Sequence, residues 1–161
     1  MMKGAKGAIL TVLLLWFAGG FQGSVAPHLA IGGVMPDFLL IVLGCVALGG
    51  TRKSGSVTGF FAGLIQGAVA GANIAQYALS RTLVGFFVGW FSTLEYDSNA
   101  TVALVVVAFT TLTSQLLLMF MAPPPRIFAF LLATIGSAIY NGVLAMPLFA
   151  LLKRVMDPPS R

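Results

Sequence analysis

Between Lys53 and Glu95 lie 41 residues that carry one charge, Arg81. A stretch so long and so apolar cannot form a solvated surface. It also exceeds the roughly 20 residues that one helical crossing of a bilayer takes. It divides at Gly71-Ala72-Asn73, giving one span near 55–71 and another near 75–92. The rest of the chain repeats the pattern, with apolar runs ending at charges or turn residues. A run over 7–25 ends at Pro27-His28, and one over 34–50 is closed by Arg52-Lys53. A loop at Glu95-Tyr96-Asp97 follows the fourth run. The fifth, 100–121, stops at Pro123-Pro124-Pro125. The sixth, 126–152, holds Pro147, where a kink is expected, and is followed by Lys153-Arg154 and the tail Asp157-Pro158-Pro159. The runs lack the two-residue alternation of barrel strands, so they read as helices. The expectation is an all-α integral membrane protein, a six-transmembrane-helix bundle forming one domain over 1–161.

Composition agrees. Hydrophobic residues make up 58% and charged residues 8% of the 161, against about a quarter charged in a soluble domain. A water-soluble enzyme and a disordered tail are both excluded on that ground. The net charge of +5 comes from basic residues dispersed beside the apolar runs, as orientation signals are, so no nucleic acid is expected as a partner. With the N-terminus inside, Lys3, Lys6, Arg52, Lys53, Lys153, Arg154 and Arg161 fall on inner segments, and Arg81 and Arg126 on outer ones. This places both termini in the cytoplasm. The 92–99 loop carries only acids, which contribute little to orientation. Signal-peptide cleavage after Ala26 would set Pro27 just past the scissile bond, so the first run reads as an uncleaved anchor. Cys45, the single cysteine, lies in an apolar run and reads as a small buried residue.

The strongest local pattern is a glycine ladder, Gly55, Gly59, Gly63, Gly67 and Gly71, each four residues after the last. Such a stripe lets a neighbouring backbone approach closely. Four residues turn a helix by about 400°, so the ladder drifts by roughly 40° per step, and its two ends are expected to face different neighbours. Gly85 and Gly89 repeat the spacing, so spans three and four are expected to pack together, although contact with a partner's helix is open as well. Met35-Pro36-Asp37 opens the second span, with Pro36 suited to a first helical position and Asp37 to the positive end of the helix dipole. Asp37 and Arg81 both fall near the outer face, where they either pair or snorkel to the headgroups. Gln22, Gln66, Gln76, Gln115, Tyr140, Asn141, Thr110, Thr111, Thr113 and Ser114 are the uncharged polar residues within spans. Interhelical hydrogen bonding is their default role.

Residues for chemistry are scarce. His28 is the only histidine and sits in a loop, so no metal-ligand set is expected. No nucleophile–base pair or phosphate-binding loop is present in the pattern, and no catalytic or cofactor-binding residues are expected.

From Met35 to Gly89 the chain resembles the rod shape-determining protein MreD family. The resemblance rests on Pro36-Asp37 opening a span, on Gly59-Phe60-Phe61-Ala62-Gly63-Leu64, on Tyr77-Ala78-Leu79-Ser80, and on Thr82-Leu83-Val84-Gly85-Phe86. Tyr140-Asn141, upstream of Pro147, is similar to the family's C-terminal end. Two departures are visible. The acid common four positions after the second glycine of Gly-Phe-x-x-Gly-Leu is Gly67 here, preceded by Gln66, and Asn73 replaces the helix breaker expected before the fourth span.

The resemblance implies a non-catalytic subunit of the bacterial inner membrane. It would bind MreC and support, directly or through MreC, the glycosyltransferase RodA and its penicillin-binding transpeptidase in lateral-wall peptidoglycan synthesis. It also implies a fold similar to the substrate-binding subunits of energy-coupling-factor transporters. On this reading Pro36, Asp37, Gly59, Gly63, Gly67, Arg81, Gly85 and Asn141 are candidate partner-binding residues, with the glycine groove receiving a partner helix, and membrane lipid is a further partner. The alternative is a small-molecule-binding membrane subunit of such a transporter. In it, the Ala-x-x-x-Ala contact of the first span has only Ala26 and Ala30 to match it, flanking Pro27-His28.

Overall fold

The computed structural model describes residues 4–93 and 99–156. The loop expected at Glu95-Tyr96-Asp97, the tail from Asp157, and the cations Lys3 and Arg161 lie outside the described residues. Among the described residues six α-helices follow in order: α1 (Gly4–Ser24), α2 (Phe38–Leu48), α3 (Arg52–Val69), α4 (Ile74–Phe91), α5 (Ala100–Met121) and α6 (Ile127–Met156). A short 3-10 turn, Ala26–Leu29, follows α1. Among the described residues three stretches are long and apolar enough to cross a membrane: Ala5–Ser24, Ala100–Met121 and Ile127–Val155. Pro147 sits inside α6.

The second element departs from expectation. Instead of a span over 34–50, helix exists only over Phe38–Leu48, 11 residues or about 16 Å, half of a hydrocarbon core of about 30 Å. The reason is local. Gly32 and Gly33 take φ of +59° and +83°, the pair of left-handed conformations that a tight hairpin turn demands. Ile31 and Val34 exchange backbone hydrogen bonds of 2.9 and 3.0 Å across it. The chain leaves that hairpin extended, and Asp37, not Pro36, ends the extended run. Its side chain accepts the N–H of Leu40 at 3.0 Å, which makes Asp37 the N-cap and places Pro36 one residue outside the helix.

This short helix is the centre of the molecule. It is apolar all round, the pattern of a helix enclosed on every side, and ten of its residues are buried. Ile41, Cys45 and Leu48 pack on Ala103 and Val107 of α5 and Ala145, Phe149 and Leu152 of α6. Leu39, Val42 and Val46 meet Leu15 and Ala18 of α1 and Ala62 of α3. Ala47 meets Val84 and Val88 of α4. Cys45 is a buried free thiol in that core, as its apolar neighbours in sequence suggested.

α3 and α4 form an antiparallel hairpin whose start is fixed by a capping box. The Thr51 hydroxyl accepts the Ser54 N–H, and the Ser54 hydroxyl accepts the Thr51 N–H. Gly71, at φ +60°, turns the chain between the two helices, and the Asn73 side chain caps α4 by accepting the N–H of Ala75. Asn73 thereby does locally what a helix breaker would do at this point. The four earlier glycines of the ladder all meet α4. A Cβ placed on Gly63 would lie 2.5 Å from the Ala78 Cα, and one on Gly67 2.7 Å from the Ile74 Cα. At Gly55 and Gly59 it would collide with the carbonyls of Gly85 and Arg81. The ladder therefore does not serve two neighbours. α4 runs along the ridge that residues four apart make on α3, so it follows the drift of the stripe.

Candidate functional site

Gln22, Gln66, Ser80, Arg81, Thr111, Ser114 and Asn141 converge around the start of α2. Arg81 lies seven residues into α4, about 10 Å along its axis, and Asn141 fourteen residues into α6, about 21 Å along it. Both side chains are fully buried, and Asp37 is 6% exposed.

Asp37 is the hub. Its backbone N–H donates to the Asn141 Oδ1 at 2.8 Å. Its Oδ1 caps α2, and its Oδ2 accepts a hydrogen bond from the Gln66 Nε2 and lies 3.6 Å from an Arg81 guanidinium nitrogen. Gln66 joins the two charges, because its Oε1 accepts the Arg81 Nε–H at 2.9 Å. The Arg81 Nη1 donates to the Ser80 hydroxyl at 3.3 Å, and the guanidinium lies over the Tyr77 ring, 4.8 Å from its centroid. Ser80 in turn donates to the Ser114 carbonyl oxygen on α5 at 2.8 Å. The Asn141 Nδ2 donates to the Thr111 hydroxyl at 3.1 Å. From α1, Gln22 accepts the Phe38 N–H at 2.8 Å and donates to the Pro36 carbonyl at 3.2 Å. Every helix thus contributes a group to one network around the start of α2.

The physical logic follows from the solvent. A buried cation or anion without a partner is costly in a membrane protein, whereas a pair with its remaining groups hydrogen-bonded is tolerable. Here one acid and one base neutralise each other, the dipole of α2 points its positive end at Asp37, and amide and hydroxyl groups satisfy most of what remains. The network also explains why α2 starts where it does, because free N–H groups at a helix start need acceptors. Asp37 supplies one from its own side chain, and Gln22 supplies another.

Of the two alternatives that the sequence left open for Asp37 and Arg81, the structure has them pair, with Arg81 fully buried and not snorkelling, and interhelical hydrogen bonding by Gln22, Gln66 and Asn141 is as expected. Tyr77 and Ser80, which complete the surroundings of Arg81, were not singled out for that role, although Tyr77 precedes Arg81 by one helical turn and so lies on the same face. The groove expected to receive a partner helix is a different matter. Gly59, Gly63, Gly67 and Gly85 are buried against the opposite helix of the chain's own hairpin. That groove is full. Position 67 also has no room for the acid that the resemblance expects, since Ile74 backbone lies against it. Among the described residues no three His, Cys, Asp or Glu side chains gather as metal ligands.

Residues 3–155 match the family model described as rod shape-determining protein MreD, and the chain belongs to that family. No curated protein and no solved structure matches it.

Proposed function

We propose that this rod shape-determining membrane protein is a non-catalytic subunit of the bacterial cell-elongation machinery, lodged in the inner membrane by six membrane-embedded segments with both termini in the cytoplasm. It binds MreC and, with it, supports RodA and its penicillin-binding transpeptidase in lateral-wall synthesis. The family match over residues 3–155 carries this reading. The arrangement of polar groups is in keeping with it. Asp37, Gln66, Arg81 and Asn141 are spent on holding helices together, while large apolar side chains such as Trp16, Phe60, Phe120 and Phe128 face outward, where lipid or another protein's helix would meet them. A likeness to the substrate-binding subunits of energy-coupling-factor transporters belongs to the same proposal.

Co-expression with the MreC of the same organism, followed by detergent extraction and pull-down, tests it. Stable co-purification is the expected result. Absence of MreC from a monodisperse preparation, with a small molecule retained instead, would favour the transporter-subunit reading.

A further inference from the structure

α1 and α3 meet like the arms of a V. At one end they touch: a Cβ on Gly19 would lie 2.6 Å from the Ile65 side chain, and one on Gly23 3.6 Å from that of Val69. The same end of α1 is tethered to the start of α2, because Gln22 accepts the Phe38 N–H and donates to the Pro36 carbonyl. Toward the other end the arms part around a cleft of about 530 Å³, with Gly7, Ala8 and Thr11 on one wall and Ser54, Val57 and Thr58 on the other. Among the described residues no hydrogen bond joins the stretch of α1 before Leu15 to another helix, and the Thr11 hydroxyl is spent on the Gly7 carbonyl of its own. On the opposite flank a hollow of about 270 Å³ lies between Leu14, Phe17 and Phe21 of α1 and Leu144 and Leu148 of α6, so that flank is loosely packed too.

An interhelical gap of this size has two favourable fillings. Left empty, its walls forfeit their dispersion contacts. An acyl chain of the surrounding bilayer can lie in it, or α1 can close on α3. Closure is open to this pair because the facing side chains are small, the condition under which helices in lipid approach closely. We propose that α1 is a hinged arm. It pivots where Gly19, Gln22 and Gly23 hold it to α3 and α2. Its other half swings between an open position, as in this structure, and a closed one with Ala8 and Thr11 seated on Val57 and Thr58. From Gln22 to Gly7 the arm is about 22 Å long, so a swing of about 10–15° carries its end by about 4–6 Å. The inference concerns α1 alone and is independent of whether MreC binds.

The test is pulsed electron paramagnetic resonance on the full chain in lipid nanodiscs, with spin labels on cysteines placed in pairs. Cys45 is fully buried and stays in place. Ala8→Cys with Val57→Cys spans the open end of the V, and Ser24→Cys with Val69→Cys the closed end; all four sites are exposed. The first pair is expected to give two populations about 4–6 Å apart, and the second a single narrow one. Thr11→Trp, which wedges the cleft, is expected to remove the shorter population of the first pair. A single narrow distance at the open end would overturn the proposal, since the V would then be rigid. So would equal breadth at both ends, which would mean a helix loose along its whole length. Persistence of the shorter population in a monodisperse Thr11→Trp preparation would overturn it as well. If that variant does not fold, the comparison of the two pairs decides by itself.

Discussion

The two sides of α3 are built in opposite ways. Toward α4 it presents Gly55, Gly59, Gly63 and Gly67, and the backbones close until no methyl group fits between them. Toward α1 it presents Val57, Thr58, Phe61 and Ile65, and a cleft remains open. In lipid, helices gain little from hiding apolar surface from each other, because the acyl chains are as apolar as leucine. Close backbone approach and hydrogen bonding have to hold them instead. The α4 side uses both, since the Arg81 side chain leaves the same helix to reach Gln66 on α3 and Asp37 on α2. On the other side α1 is fastened to the start of α2 by Gln22 and meets α3 through side-chain packing. A single helix thus carries a permanent seam on one face and an adaptable one on the other.

Substitutions on the two faces are expected to separate cleanly. Gly63→Leu forces a branched side chain into the Ala78 backbone and is expected to leave no folded monomer by size-exclusion chromatography. Next in size is Arg81→Met, which leaves the Asp37 carboxylate buried beside Gln66 without a cation. A loss of about 3–5 kcal/mol is expected in a reversible unfolding assay, with Asp37→Asn in the same chain restoring most of it. If the single substitution were neutral, the ion pair would not be holding the α2 junction. Asn141→Leu orphans the Asp37 N–H and costs about 1–3 kcal/mol by the same assay, without changing the oligomeric state. Smallest is Gly20→Ala on α1, where a Cβ meets nothing within 4 Å. It is expected to be neutral, or to stabilise by up to about 1 kcal/mol through helix propensity. A large loss there would mean that α1 is packed as tightly as α4.

Much of this was legible in residues alone. Charge spacing and turn residues located α5 to the residue and α1, α3, α4 and α6 to within a few residues, because each boundary is a local event of capping or charge. The sequence brought Asp37 and Arg81 to one end of the spans but did not choose between a pair and two snorkelling side chains, because that depends on how α2 and α4 pack. The start of α2 was not legible, since Val34 and Met35 are apolar enough to continue a helix. What stops them is the hairpin at Gly32-Gly33, with the grip of Gln22 from the preceding helix and of Asn141 from far along the chain. Nor does a glycine ladder state in sequence whether its neighbour belongs to the same chain. That depends on the crossing of α3 and α4, which the short turn at Gly71 and the matching Gly85 and Gly89 favour but do not specify.

The most direct measurement of the central claim, that the glycine seam is internal structure and not a docking face, is made on Gly63→Ala. Its thermal unfolding in detergent and its retention of co-expressed MreC are measured together. The account predicts a lowered midpoint, by overpacking of about 1–3 kcal/mol, with the fraction that remains folded binding MreC as the wild type does. A variant with a wild-type midpoint that no longer holds MreC would contradict it.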